Sequence, residues 1–312
     1  MANNATTAVS GANYLVPNVN PRQAIDGVFN ATPLISAFRA RGRFLPTGGS
    51  QTLEWNYVVG TDLAASAWTE NESITSFGST LTPRASQVVS FGKAPYGVTD
   101  RQLANQANGG TYEDVLAREE RSATLKLMKY FEDLFCGNGA SVGISALIDS
   151  TGTAHGINQS TYAGWASVEN TCSGSSFVSV LDDTYSDLLA TNASIGDIVV
   201  FMSPAVFTIY EGAVASNMRG MYGQSLDLGK APVGQPVKFN GMPIVVIPGA
   251  SATECYFVDM SKAKIAVHIE PTSKDVPATN LGVNRAVVGA MALILEDRAV
   301  HAKITQIDLR TA

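Results

Sequence analysis

The residues with the chemistry to act as ligands, nucleophiles or acid–base groups are few in this chain, and their spacing assembles no recognised centre. His155, His268 and His301 are scattered, with no HExxH and no cysteine or acid at metal-ligand spacing. Cys136, Cys172 and Cys255 are odd in number, far apart and free of any CxxC, so neither a disulfide framework nor a zinc site is indicated, and a reducing compartment fits them. The run GNGASVG is superficially similar to a dinucleotide loop, but it follows a helical pattern where that motif requires a strand. No GxSxG or GxxxxGK[ST] occurs, and Asp182 with Asp183, or Glu119 with Glu120, are neighbours that cannot face one another across a helix. The expectation is a protein that is not an enzyme and carries no cofactor or metal.

The 312 residues carry 45% hydrophobic side chains, enough for a sizeable core, but only 15% charged ones. The formal charge of −6 argues against a surface that grips nucleic acid, because phosphate binding needs Lys and Arg to displace counterions. The first residues, MANNATTAVSGANY, lack the basic start and apolar run of a signal peptide. Nothing in the sequence approaches the roughly 20 apolar residues that span a bilayer as a helix.

One stretch organises the rest. Residues 111–137, TYEDVLAREERSATLKLMKYFEDLFCG, place Tyr112, Leu116, Ala123, Leu127, either Tyr130 or Phe131, and Leu134 at three- and four-residue steps, with charges filling the remainder. Thr111 is positioned to cap the first turn, Asp114 follows three residues on, and Gly137 can end the helix. The spacing predicts a spine helix over 111–136 with one buried face.

Before it, residues 1–47 form an arm rich in Ala, Asn and Pro, with Arg22, Arg39, Arg41 and Arg43 against the single acid Asp26. The arm has one short helical pattern ending before Gly42 and too little apolar surface to order itself, so it is expected to need a partner surface. From residue 48 the period becomes two. Leu53, Trp55, Tyr57 and Val59 share one face, and a second extended run follows from Ala85 to Val98. Between them lies an excursion too long for a turn, with its own Trp68, Ile74, Phe77 and Leu81, which reads as a projecting hairpin that docks on another chain, the alternative being a loop folded back on its own domain. Residues 100–107 make a brief helical turn before the spine.

After the spine come a Gly-rich passage anchored by Ile144, Leu147 and Ile148, a helix over 175–191, a strand at 195–202 and a helix at 204–215. Residues 216–237, with Gly220, Gly223, Gly229, Gly234, Pro232 and Pro236, read as an exposed loop. Strands GMPIVVIP and ECYFVDM return into this lobe. KIAVHIE, a loop PTSKDVPATNLG, NRAVVGAMALILED and HAKITQIDL close the chain, and these last strands are expected against the spine. Residues 146–263 are then an insertion.

The order of arm, hairpin, spine, inserted lobe and returning strands resembles the major capsid proteins of tailed bacteriophages, the Hong Kong 97-type fold. AWTENESI is similar to that family's hairpin tip, VTDRQLAN to the element before the spine, GNGASVGISALIDSTG to the Gly-rich passage after it, GDIVVFMSPAVF to a strand and Ser-Pro helix start, FNGMPIVVIP to a lobe strand and RAVVGAMALILEDRAVHAKI to the closing strands. The resemblance implies an α+β fold with an N-terminal arm (1–47), an E-loop (48–85), a P-domain (86–145, with spine helix 111–136), an A-domain (146–263) and further P-domain strands (264–312).

It implies a coat protein that assembles with itself, as hexamers and pentamers, into an icosahedral shell in the host bacterial cytoplasm and resides in the virion. That shell would enclose double-stranded DNA without binding it specifically, and no membrane is involved. A portal, a decoration protein and, because Met1 stands directly ahead of the arm, a separate scaffolding protein are the expected partners. The contact residues between copies are then expected to be Arg39, Arg41 and Arg43 of the arm, Trp68, Glu70, Glu72, Ile74, Phe77 and Arg84 of the E-loop, and Arg219, Met221 and Tyr222 at the lobe's loop. The alternative with the same fold is an encapsulin, a shell enclosing cargo enzymes. The E-loop has no lysine, Lys93 being the first in the chain, so the isopeptide cross-link of the family's type member is not expected here.

Overall fold

A computed structural model of the chain describes residues 32–58, 60–61, 80–107, 114–137, 142–173, 176–191, 193–222, 238–277 and 282–308. The arm and hairpin region contains α1 (Pro33–Ala40), β1 (Phe44–Pro46), β2 (Thr52–Asn56), β3 (Gly60–Thr61), β4 (Thr80–Leu81) and β5 (Arg84–Val88). Next come β6 (Ser90–Thr99), α2 (Asp100–Ala107), the spine α3 (Val115–Cys136) and the single turn α4 (Ile144–Leu147). The lobe holds β7 (Thr153–Ala154), β8 (Ile157–Asn158), β9 (Val168–Thr171), α5 (Phe177–Leu189), β10 (Ile198–Met202), α6 (Pro204–Tyr222), β11 (Lys238–Phe239), β12 (Met242–Val246) and β13 (Cys255–Asp259). The chain closes with β14 (Ala263–Asp275), β15 (Gly282–Leu295) and β16 (Ala302–Thr305). Two compact units result, one including residues 90–131 and 269–290, the other residues 32–89, 132–268 and 291–312.

In the first unit β15 lies between β6 and β14, and the spine covers these strands. Val115, Ala123, Leu127 and Phe131 are buried at helical spacing. Glycines let the strands come close: a Cβ at Gly92 would stand 2.7 Å from Leu127 Cδ1, and one at Gly289 3.3 Å from Leu127 Cδ2. The helix start differs from the expected one. Asp114 is the cap, its Oδ1 accepting the Leu116 and Ala117 N–H groups at 2.9 and 3.2 Å, while Thr111 lies outside the described residues. β14 also outruns its sequence pattern, because PTSKD extends the strand instead of opening a loop. Pairing extends even past it, with the Val276 N–H donating to Asn284 O at 3.0 Å.

The second unit is built on a six-stranded sheet in the order β11-β12-β10-β13-β16-β9, with β10/β12 and β16/β9 parallel. Its central strands β10 and β13 are buried at every residue, as their unbroken apolar runs require, and α5 and α6 cover them through Phe177, Leu181, Leu188, Val206, Ile209 and Tyr210. Two expectations change here. β16 pairs with β13 and β9, Ala302 opposite Phe257 and Ile304 opposite Cys255, so the closing strand belongs to the lobe's sheet and not to the layer expected against the spine. The helix starting at Pro204 continues past Ala215 to Tyr222, through Gly220: one glycine costs a helix only about 1 kcal/mol.

Candidate assembly interface

The arm's last segment is anchored within its own chain, which corrects the expectation that it needs a partner to order. Leu34, Ile35 and Phe38 of α1 are at most 1% exposed, and β1 pairs in parallel with β14, Phe44 opposite Ile265. The start of α1 is held by Glu132, whose Oε1 and Oε2 accept the Leu34 and Ile35 N–H groups at 2.7 and 2.9 Å. Burial pushes the Glu132 pKa up; the two N–H bonds oppose that shift and the neighbouring Asp133 charge adds to it. Arg39 is exposed, its guanidinium 5.5 Å from the Phe44 ring centre. Arg41 is engaged within the chain, donating from Nη1 to the Asp197 carbonyl at 2.9 Å. Arg43 is half-buried, and its backbone carbonyl accepts the Ile265 N–H.

The hairpin has a well-defined root. β2 and β5 pair antiparallel with Trp55 opposite Ala85, and further out β3 pairs with β4, Gly60 opposite Leu81. The alternation read from the sequence holds, since Leu53, Trp55 and Tyr57 turn inward while Thr52, Glu54 and Asn56 face solvent. Arg84 forms an ion pair with Glu54 on the solvent side, where screening leaves it about 0–1 kcal/mol. Trp68, Glu70, Glu72, Ile74 and Phe77 lie outside the described residues.

On the inward face Tyr57 packs edge-on against Trp165 with ring centres 4.5 Å apart, and its hydroxyl donates to Asp297 Oδ1 at 2.8 Å. Burial and the Asp297 carboxylate together hold that phenol protonated. Trp55 donates from Nε1 to the Glu296 carbonyl at 3.2 Å and packs edge-on against His155, ring centres 5.0 Å apart. The His155, Trp165 and Asp297 partners were not visible in the sequence as such, because they lie about 100 to 240 residues away. The one available signal was the His155–Gly156 pair between two short extended segments.

Arg219, Met221 and Tyr222 occupy the last turns of α6. The remaining reactive groups are built into the fold. His155 and His301 are buried, and burial lowers their pKa values to about 3 and about 4. Cys136, Cys172 and Cys255 are buried thiols with raised pKa values. No described helix is long and apolar enough to cross a membrane.

No curated protein sequence matches this chain. Among solved structures it is similar to the capsid asymmetric unit of cyanophage A-1(L), with a TM-score of 0.70 at 15% identity over 94% of this chain and 98% of that one. It is also similar to the capsid of an empty GTA particle, with a TM-score of 0.66 at 17% identity over 98% and 100% of the two chains. The holo-SrpI encapsulin complex from Synechococcus elongatus PCC 7942 matches with a TM-score of 0.59 at 10% identity, over 93% of this chain and 94% of that one. At these identities the likenesses establish the fold, the mixed helix-and-sheet Hong Kong 97-type capsid architecture, and phage capsids and an encapsulin share it. The family model for the SU10 major capsid protein separates the two, and because it matches residues 25–308, nearly the whole chain, this protein belongs to the SU10 major capsid protein family.

Proposed function

We propose that this phage major capsid protein closes with copies of itself, as hexamers and pentamers, into an icosahedral shell around double-stranded DNA. The observation that carries the reading is the hairpin root: two successive pairs of strands, β2/β5 and β3/β4, with the inner pair packed on its own unit. We assign residues 48–85 as the E-loop, 1–47 as the arm, the spine and its strands as the P-domain, and 146–263 together with β16 as the A-domain. Many modest contacts per subunit then add up through avidity. Arg39, Trp68, Glu70, Glu72, Ile74, Phe77, Arg84, Arg219, Met221 and Tyr222 are the contact residues of this reading, with Arg41 and Arg43 supporting the arm root. A scaffolding protein, a portal and a decoration protein are its further partners, and assembly takes place in the host cytoplasm. The acidic balance suits an inner wall that contains DNA without adhering to it.

Electron microscopy of the purified protein should show closed shells of uniform diameter, and replacing residues 68–74 with Gly/Ser should leave folded subunits that fail to close. Normal shells from that variant would refute the assignment of the E-loop. Small shells holding a cargo enzyme, with no DNA, would favour an encapsulin instead. Stability of the shell is non-covalent, since the E-loop supplies no lysine amine to attack an amide. Mature particles boiled in detergent with reductant should therefore run as one band near 32.8 kDa, whereas a ladder would demonstrate cross-linking.

A further inference from the structure

We propose that the turn at His155 and Gly156 is a positioning clamp that sets the direction in which the hairpin leaves its unit, and so the curvature at which copies join; this rests on reading residues 48–85 as the E-loop. β7 and β8 are joined by these two residues alone, and both have positive φ, +52° for His155 and +80° for Gly156. A two-residue turn of this hand favours Asn, Asp or Gly at its first position, and histidine accepts the left-handed region at a cost. The ring accounts for its presence. Nδ1 donates to Gln87 Oε1 at 2.9 Å and Nε2 accepts the Leu295 N–H at 3.2 Å, an arrangement that uses both nitrogens of a neutral imidazole. The His155 carbonyl accepts the Ser86 N–H at 2.8 Å, and the ring edge meets Trp55.

One turn thereby grips both strands of the root: β5 through Ser86 and Gln87, and β2 through Trp55. A second grip is the segment after β15, where the Glu296 carbonyl and Asp297 carboxylate hold Trp55 and Tyr57. Arg298 pins that segment, donating from Nε to Leu147 O at 2.8 Å and from Nη2 to Thr151 O at 2.9 Å. A root held at several points by directional bonds has one orientation, and any tilt at the root is carried outward in proportion to distance. His155, Tyr57 and Asp297 are positioning residues in this scheme.

His155→Asn separates the clamp from the turn, because asparagine suits the left-handed position at least as well as histidine but loses the bridge from Gln87 to Leu295 and the contact with Trp55. In the unassembled subunit, amide hydrogen exchange over residues 52–57 and 84–88 should quicken about tenfold while β10 keeps its protection. In assembly, closed shells of the normal diameter should fall about tenfold relative to open or irregular particles, on the same bond-loss scale. Tyr57→Phe, which keeps the Trp165 contact and loses the hydroxyl's bonds to Asp297 and to the Gly164 carbonyl, should shift both readouts the same way by less. Asp297→Asn, whose amide oxygen still accepts from Tyr57, should leave both readouts at their wild-type values. Unchanged exchange and unchanged shells in His155→Asn, or in Tyr57→Phe if the first variant does not fold, would overturn the clamp. Failure of the wild-type protein to form shells would instead overturn the capsid reading, while the exchange rates would still report on the clamp.

Discussion

A subunit lacking residues 1–40 is expected to lose most of its stability, whereas one lacking residues 1–31 should fold normally and fail only in assembly. The longer deletion removes Leu34, Ile35 and Phe38, each at most 1% exposed, and strips both N–H partners from the buried Glu132 carboxylate. Losing a buried side chain of this size costs about 2–5 kcal/mol, and a carboxylate left buried without partners adds to that. The sum rivals the roughly 5–15 kcal/mol that holds a typical domain folded. Urea denaturation of the two truncated subunits should therefore give a midpoint near wild type for the shorter deletion and a collapsed or unmeasurable one for the longer. A wild-type midpoint after removal of residues 1–40 would show that α1 contributes little to the fold. The point-mutant version is Glu132→Ala, expected to cost about 1–3 kcal/mol, with Glu132→Gln milder because its amide oxygen still accepts one N–H.

Acidification is the second large effect. His155 and His301 are buried and neutral, with folded pKa values of about 3 and about 4, against roughly 6.5 in an unfolded chain. Burial is the main cause for both; the Arg298 charge adds to it at His155, while Asp259 opposes it at His301. Between pH 6.5 and those values the unfolded chain binds more protons than the folded one, so stability falls as pH falls. Each histidine contributes a slope of up to about 1.4 kcal/mol per pH unit in that window. Glu132 acts in the opposite sense, since its raised pKa favours the folded state as the carboxyl protonates, and it offsets part of the loss. Unassembled subunits should show a markedly lower urea midpoint at pH 4.5 than at pH 7, and His155→Gln should flatten the dependence by about one histidine's share. Equal midpoints at the two pH values would mean that these rings are not held neutral by the fold.

What could be read without a structure was what repeats locally. The spine declared itself because Ala123, Leu127 and Phe131 recur at the helical period, and β2 did because Leu53, Trp55 and Tyr57 alternate. Gly-rich punctuation and the order of parts then sufficed for the family resemblance. Local pattern failed wherever a choice among partners was needed. Ala302 and Ile304 alternate in the same way whether β16 pairs on the spine's layer or between β13 and β9, and only the neighbours decide. Gly220 and the PTSKD stretch read as breakers, yet α6 and β14 run through them, because a continuing helix or ladder outweighs a preference of about 1 kcal/mol.

The contact site divides in the same way. The alternation of Leu53, Trp55 and Tyr57 at the hairpin root was legible from the period. Glu132 beneath α1 and His155 beneath Trp55 were not, since each meets its partner across about 100 residues of chain and carries no local signal that names it. The sequence alone determined where the spine helix and the alternating strand of the hairpin root lie, because those depend on periodicities of 3.6 and two residues written into neighbouring positions. Which strand closes which sheet, and which buried acid and histidine hold the arm and the hairpin at their roots, were decided only by the tertiary structure, where burial turns distant polar groups into obligatory partners.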